Sequence, residues 1–291
     1  MQNVPNQIVA TFSIVGFDPE TGELGVAVQS KFLGVGAVVP WAKSGVGAIA
    51  TQSYANTTYG PEGLKHLEKG KSARETLELL INDDPDKDMR QVGIVDAKGN
   101  AATFTGKQCY EWAGGRSGKH YAAQGNILVG KETVDRMAET FEQTEGSLAE
   151  RLLKALEAGQ KAGGDKRGKQ SAALYVVKEK GGYGGFNDRY IDLRVDDHPE
   201  PIHELIRIYK LQRLYFEKPD PANILEIRGQ IREELEQELY RLGYLQRDGS
   251  DDQELFKALT SFIHVENFEE RELEPGKMDR EVLEYMKEKQ P

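Results

Sequence analysis

The chain has 291 residues, a net charge of −10 and 38% hydrophobic residues. That is enough apolar material for a sizeable core and too much for wholesale disorder. The acidic balance disfavours nucleic acid and anionic membrane surfaces as partners, since both repel it.

Residues 8–17 alternate as a strand, and Asp18-Pro19-Glu20-Thr21-Gly22 is a turn by its chemistry, with proline presetting φ and glycine accepting positive φ. Residues 24–29 return as a second strand, and 34–39 and 46–52 read as two more. Pro61 suits a helix start ahead of Leu64 and Leu67. Ser72-Ala73-Arg74-Glu75 is a capping box before Leu77, Leu79, Leu80 and Ile81. Strand patterns resume at 91–96 and 101–105, and after a glycine-rich loop at 121–129, where Gly125 is a candidate break. Residues 134–141 are helical, and a second capping box, Ser147 to Glu150, opens a helix through Leu152, Leu153 and Leu156 to Gly159. Strands at 171–177 and 190–195 follow. Strands, two helices, strands, two helices, strands is an α+β order that a four-layer α/β/β/α sandwich would bury.

Asp196-Asp197-His198-Pro199-Glu200-Pro201 marks a boundary, because its prolines break structure after a strand. The expected domains are therefore 1–200, a sandwich, and 201–291, a small all-α domain. In the latter, residues 202–216 and 224–242 are apolar at helical spacing, with shorter helices at 253–262 and 280–286. The stripe Leu205, Ile208, Leu211, Tyr215 is too apolar to stay solvated and is expected to pack on the sandwich or on a second copy. From Glu200 onward there are 22 acidic and 14 basic residues, leaving 26 acidic and 24 basic before it, so most of the negative charge sits in the tail.

No run of about 18 apolar residues is present, so no transmembrane helix is expected. Met1 to Gln7 lacks the basic and apolar regions of a signal peptide. The single cysteine, Cys109, fits a reducing compartment, and a cytoplasmic location is expected. The five histidines form no HxH or HExxH pair, and no phosphate-binding glycine loop occurs, so neither a metal nor another cofactor is expected.

Six segments carry a family resemblance in order: Thr11-Phe12-Ser13-Ile14-Val15, Gly45 to Gln52, Arg90 to Asp96, Gln124-Gly125-Asn126, Ala162 to Ala172, and Ile191 to Asp197. Over about residues 8–200 the chain resembles the family catalogued as domain of unknown function 1028, which is placed among the N-terminal-nucleophile (Ntn) hydrolases with proteasome subunits and glycosylasparaginase. Leu239-Tyr240-Arg241-Leu242-Gly243-Tyr244-Leu245, Asp248-Gly249, Ala258-Leu259, Phe262, Asn267-Phe268 and Gly276 to Asp279 resemble a peptidoglycan-binding-like helical module often appended to it.

The resemblance implies an Ntn-hydrolase-like sandwich and an amidohydrolase acting on a small-molecule amide or peptide-like ligand. Such enzymes attack with the side chain of a processed first residue and use its free α-amine as base. It implies Thr11 as nucleophile, with Lys31 or Lys43 depressing the amine pKa. Ten residues precede Thr11, so its amine lies in a peptide bond unless Ala10–Thr11 is cleaved, and Gln29 stands where the proteasome carries an acidic residue. Gln52, Ser53 and Asn126 follow strands or strand breaks and are candidates for an oxyanion-binding amide or hydroxyl. Asp165 and Arg167 lie in a glycine-flanked loop where Arg167 could clamp a carboxylate and Ser171 supply a hydrogen bond, or where the two could simply tie the loop. These residues are expected to converge at one open end of two stacked sheets. The alternative is a non-catalytic ligand-binding or interaction protein, and a homo-oligomer is expected in either case.

Overall fold

Three antiparallel hairpins build the larger sheet. The computed structural model describes residues 11–246 and 249–290. The expected strand start at Ile8, the Ala10–Thr11 bond and Asp248 lie outside the described residues. Strand β1, Thr11–Phe17, pairs antiparallel with β2, Leu24–Ser30, across the expected turn, with Thr11 opposite Ser30. Strand β3, Pro40–Lys43, pairs with β4, Gly47–Ser53, which pairs with β5, Arg90–Asp96, and that in turn with β6, Ala101–Thr105. Strands β7, Gly114–Gly118, and β8, Tyr121–Gly125, return to β1. Strands β9, Ser171–Val177, and β10, Arg189–Val195, extend the same sheet on the β2 side. The result is a six-stranded sheet ordered β10-β9-β2-β1-β8-β7 and a four-stranded sheet ordered β3-β4-β5-β6.

Because side chains alternate along a strand, each sheet has two chemically distinct faces. Val15, Val26 and Val28 of the larger sheet share one apolar cluster with Ala48, Ala50 and Val95 of the smaller. The other face of the smaller sheet, through Ile49, Val92 and Ile94, packs on helices α1, Tyr59–Glu68, and α2, Ala73–Asn82, by way of Tyr59, Leu67, Leu77 and Leu80. The outer face of the larger sheet meets α3, Glu132–Gln143, and α4, Leu148–Lys161. A Cβ at Gly16 would fall within 3.2 Å of Leu148, Phe141 and Leu152, so glycine lets α4 approach β1 closely. Both capping boxes form: Ser72 and Ser147 each accept from the backbone N–H three residues on, at Glu75 and Glu150, whose side chains return the bond. Each box satisfies two helix-terminal donors that would otherwise be orphaned.

Some local expectations change. Residues 34–39 form no strand. Residues Val35–Ala37 make a single 3-10 turn, and the chain extends only from Pro40. The glycine-rich segment before Tyr121 is strand β7, whose small residues lie at the sheet edge. Extension ends at Gly125, the candidate break in the sequence, and Ile127 with φ 52° turns the chain beyond it.

The chain divides into one compact unit ending at Ile206 and a second from Arg207 onward, with helix α5, Pro201–Phe216, spanning the division. On α5, Leu205 is buried, whereas Ile208, Leu211 and Tyr215 are half-buried. The second unit is mainly helical: α6, Gln230–Arg241, α7, Asp252–Val265, and α8, Arg280–Glu288, close over Leu235, Leu239, Leu259, Phe262 and Met286. It also holds a two-stranded ribbon, β11, Ile224–Glu226, with β12, Lys277–Asp279, where the sequence pattern suggested one uninterrupted helix from 224. Buried Arg271 ties this unit together. It donates to the carbonyls of Leu214 (3.0 Å) and Arg213 (2.9 Å) and pairs with buried Asp279.

Candidate functional site at the head of strand β1

Thr11 begins β1 with its residue fully buried. Directly opposed residues of an antiparallel pair share a face. Thr11 opposes Ser30, and Ser30 opposes Ser171, so three buried hydroxyl residues line up across β1, β2 and β9. The Thr11 carbonyl accepts from the Asn126 backbone N–H at 3.0 Å and from the Gln52 side-chain amide at 3.3 Å. Ser171 Oγ donates to the Phe32 carbonyl and accepts from the Val35 N–H at 3.1 Å, tying down the chain after β2.

Below Thr11 the space between the sheets is polar. Ser13 Oγ donates to Gln52 Oε1 at 2.6 Å and accepts from Gln124 Nε2 at 2.7 Å. Gln52 Nε2 donates to Gln91 Oε1 at 2.8 Å, and Asn126 Nδ2 donates to the same oxygen at 2.8 Å. Gln91 Nε2 in turn reaches the Gly125 carbonyl at 2.7 Å and Thr105 Oγ1 at 2.9 Å. Ser13, Gln52, Gln91, Gln124 and Asn126 are all fully buried and all neutral. In a water-free interior every such bond left unmade costs the group's desolvation, so the network fixes one register between the sheets.

Charge enters only at the rim. Asp165, buried with only 3% exposure, accepts from the Lys31 backbone N–H at 3.0 Å, the Arg167 backbone N–H at 2.9 Å, and the Arg167 guanidinium at 2.9 and 3.2 Å. The loop thus carries the internal Asp165–Arg167 tie. It is stitched to its surroundings by Lys166 N–H to the Ile127 carbonyl at 2.8 Å and Gln170 N–H to the Ser30 carbonyl at 3.1 Å. Lys31 itself is exposed, with Nζ 3.4 Å from the Lys169 carbonyl.

Thr11, Lys31, Gln52, Asn126, Asp165, Arg167 and Ser171 therefore gather at one end of the larger sheet. Ser53 and Lys43 do not join them. Ser53 ends β4 in the left-handed region (φ 68°) and lies beside the Cys109 thiol. Burial pushes that thiol's pKa up, against a smaller opposing effect of Ser53, and Sγ lies 3.3 Å from the Arg90 carbonyl. Lys43 opposes Gly47 at the far end of β4 and pairs with Glu68. The resemblance implies a role for Lys43 beside the Thr11 amine, but the β3–β4 register carries it to the other end of β4. Gln29 is buried on the opposite face of β2, beside Phe12 in the register, and neither side-chain amide atom has a hydrogen-bond partner among the described residues.

Ser13, Gln91 and Gln124 were not singled out from the sequence. Their signal is a polar residue in the middle of a strand otherwise buried on both faces, a position that must find partners. Among the described residues no three His, Cys, Asp or Glu side chains are placed to hold a metal ion, and no helix is long and apolar enough to cross a membrane.

Residues 11–205 match the model of a family described as "Family of unknown function (DUF1028)". The chain belongs to that family. Residues 215–286 of this DUF1028 protein match a second model, described as "Putative peptidoglycan binding domain". Among solved structures it is similar to the crystal structure of a Silicibacter pomeroyi protein assigned to DUF1028. The two are 32% identical with a TM-score of 0.65, over 74% of this chain and 89% of that one. No curated protein matches it.

Proposed function

We propose that the DUF1028 unit is a four-layer α/β/β/α sandwich of the Ntn-hydrolase type, and that it is an amidohydrolase with Thr11 as nucleophile. The reading rests above all on where Thr11 sits: at the head of a central strand, with Gln52 and Asn126 on its carbonyl and with Lys31 and Asp165, bonded to each other, at the same end of the sheet. Freed of Ala10, the Thr11 α-amine has an ordinary pKa of about 7.7–8.0 and takes the hydroxyl proton at neutral pH with little tuning. Thr11 Oγ adds to the substrate carbonyl carbon, the C–N bond breaks, and the leaving amine takes the proton from the α-ammonium. Water then hydrolyses the threonyl ester and restores the hydroxyl. Lys31 at the rim favours a substrate bearing a carboxylate, and Arg167, tied to Asp165, adds positive charge beside it. The tail serves assembly or binds wall fragments.

The first test is the intact mass of the purified protein. Loss of residues 1–10 leaves Thr11 with a free amine and supports the reading. A full-length mass favours the second reading, a non-catalytic protein that binds a small anion at the Lys31–Arg167 rim. A specific observation speaks for that alternative: the groups that hold the Thr11 carbonyl, the Gln52 side-chain amide and the Asn126 backbone N–H, are neutral.

A further inference from the structure

Strand β10 is the last strand on its side of the six-stranded sheet, and among the described residues no other strand lies along its outer edge. An open edge presents unpaired backbone groups and is a template for another strand. Proteins commonly blunt such edges with charge of one sign, which repels a second copy in every register. This edge is built differently. Asp192 and Arg194 lie two residues apart on one face, with opposite charges. Within the chain, Asp192 sits between Arg194 (3.0 Å) and Arg189 (3.2 Å), and both arginines remain largely exposed. The hairpin leading into β10 ends in Tyr183 and Phe186, exposed to 84% and 91%. Two neighbouring aromatics open to water on one loop are apolar surface that a second copy could bury.

We propose that β10 pairs antiparallel with β10 of a second copy about a two-fold axis at Leu193, joining the two six-stranded sheets into one. In that register Leu193 faces its own copy, Asp192 faces Arg194 twice over, and Ile191 faces Val195. Directly opposite residues on paired strands share a face, so both charge pairs meet. The two-fold also runs each hairpin tip past the second copy's chain beyond Val195, which covers Tyr183 and Phe186. Other registers lose this match: shifting the axis to Asp192 sets that carboxylate against itself, and shifting it to Arg194 does the same to the guanidinium.

The test is the mass of the full chain in solution by sedimentation, with variants on the edge. The unaltered protein sediments as a dimer or an even multiple of one. Asp192→Arg and Arg194→Asp each set like charges opposite one another and weaken the dimer about tenfold or more. The double exchange Asp192→Arg with Arg194→Asp restores association. A thermal melt of each variant separates lost pairing from lost folding. Independently of those variants, Leu193→Cys cross-links to its own copy under mild oxidation, whereas Arg189→Cys, away from the axis, does not. A monomeric protein at micromolar concentration overturns the proposal. So does a dimer that keeps its mass through both single reversals, or equal cross-linking at the two cysteine positions.

Discussion

Ser13 and Gln52 stand 39 residues apart, on different sheets, and share a hydrogen bond of 2.6 Å. Gln52 then passes the contact on to the Thr11 carbonyl and to Gln91. The candidate nucleophile is therefore positioned by neutral side chains that also lock one sheet against the other. Ser13→Ala strips partners from both Gln52 and Gln124, and it should cost about 1–3 kcal/mol, the desolvation of buried groups left unsatisfied. Urea unfolding measures this. An unchanged midpoint would mean the network adds nothing to the packing of the sheets.

Gly93 gives a sharper probe of the same region. A Cβ there would lie 2.1 Å from Gln124 Oε1, inside the rigid network. Gly93→Ala should destabilise by about 1–3 kcal/mol through overpacking. Combined with Gln124→Ala, which removes the obstructing amide, the loss should be smaller than the sum of the single changes. Additive losses in a double-mutant cycle would show that the two positions do not meet.

Much of the frame was legible in advance because it depends on local chemistry. The β1–β2 hairpin follows from Asp18-Pro19-Glu20-Thr21-Gly22, and α2 and α4 from serine–glutamate boxes whose bonds form as the spacing predicts. What stayed hidden depends on contacts between segments far apart in sequence. Nothing near Gln91 announces that it will meet Gln52 and Asn126, and Lys43 looked close to Thr11 only until the register of β3 and β4 put it beside Glu68. Strand β7 hid because glycine and serine carry almost no strand propensity, so sheet pairing with β8 decides its conformation.

Asp84 predicts a pH dependence. Burial pushes its carboxyl pKa up, but hydrogen bonds from Arg90, Asn56, the Asp86 N–H and Tyr59 outweigh that and hold it at about 2, below the ordinary 3.8. A carboxylate with a depressed folded-state pKa contributes stability that is complete above its unfolded value and is lost as pH falls through the folded one. Stability should therefore drop between about pH 4 and pH 2. Asp84→Asn should flatten that portion of the profile and, by removing the negative charge paired with buried Arg90, cost about 3 kcal/mol at neutral pH. A variant as acid-sensitive as the parent would contradict this.

In the tail, Arg271→Met removes the cation from a buried pair and leaves Asp279 without it. The expected loss is about 3–5 kcal/mol, seen as a lower melting temperature for the helical unit by circular dichroism. Lys277→Met, at an exposed neighbouring pair, should change it by less than about 1 kcal/mol. Equal effects would show that the Arg271 contacts do not hold the unit together.

The central claim is that Thr11, given a free amine, is a nucleophile. A chain beginning at Thr11 should release nitroaniline from small carboxylate-bearing p-nitroanilides, its Thr11→Ala counterpart should not, and uncleaved protein carrying residues 1–10 should be silent. If the Thr11-first chain folds but hydrolyses these amides no faster than its Thr11→Ala counterpart, the catalytic reading is wrong and the Lys31–Arg167 rim is a binding site only.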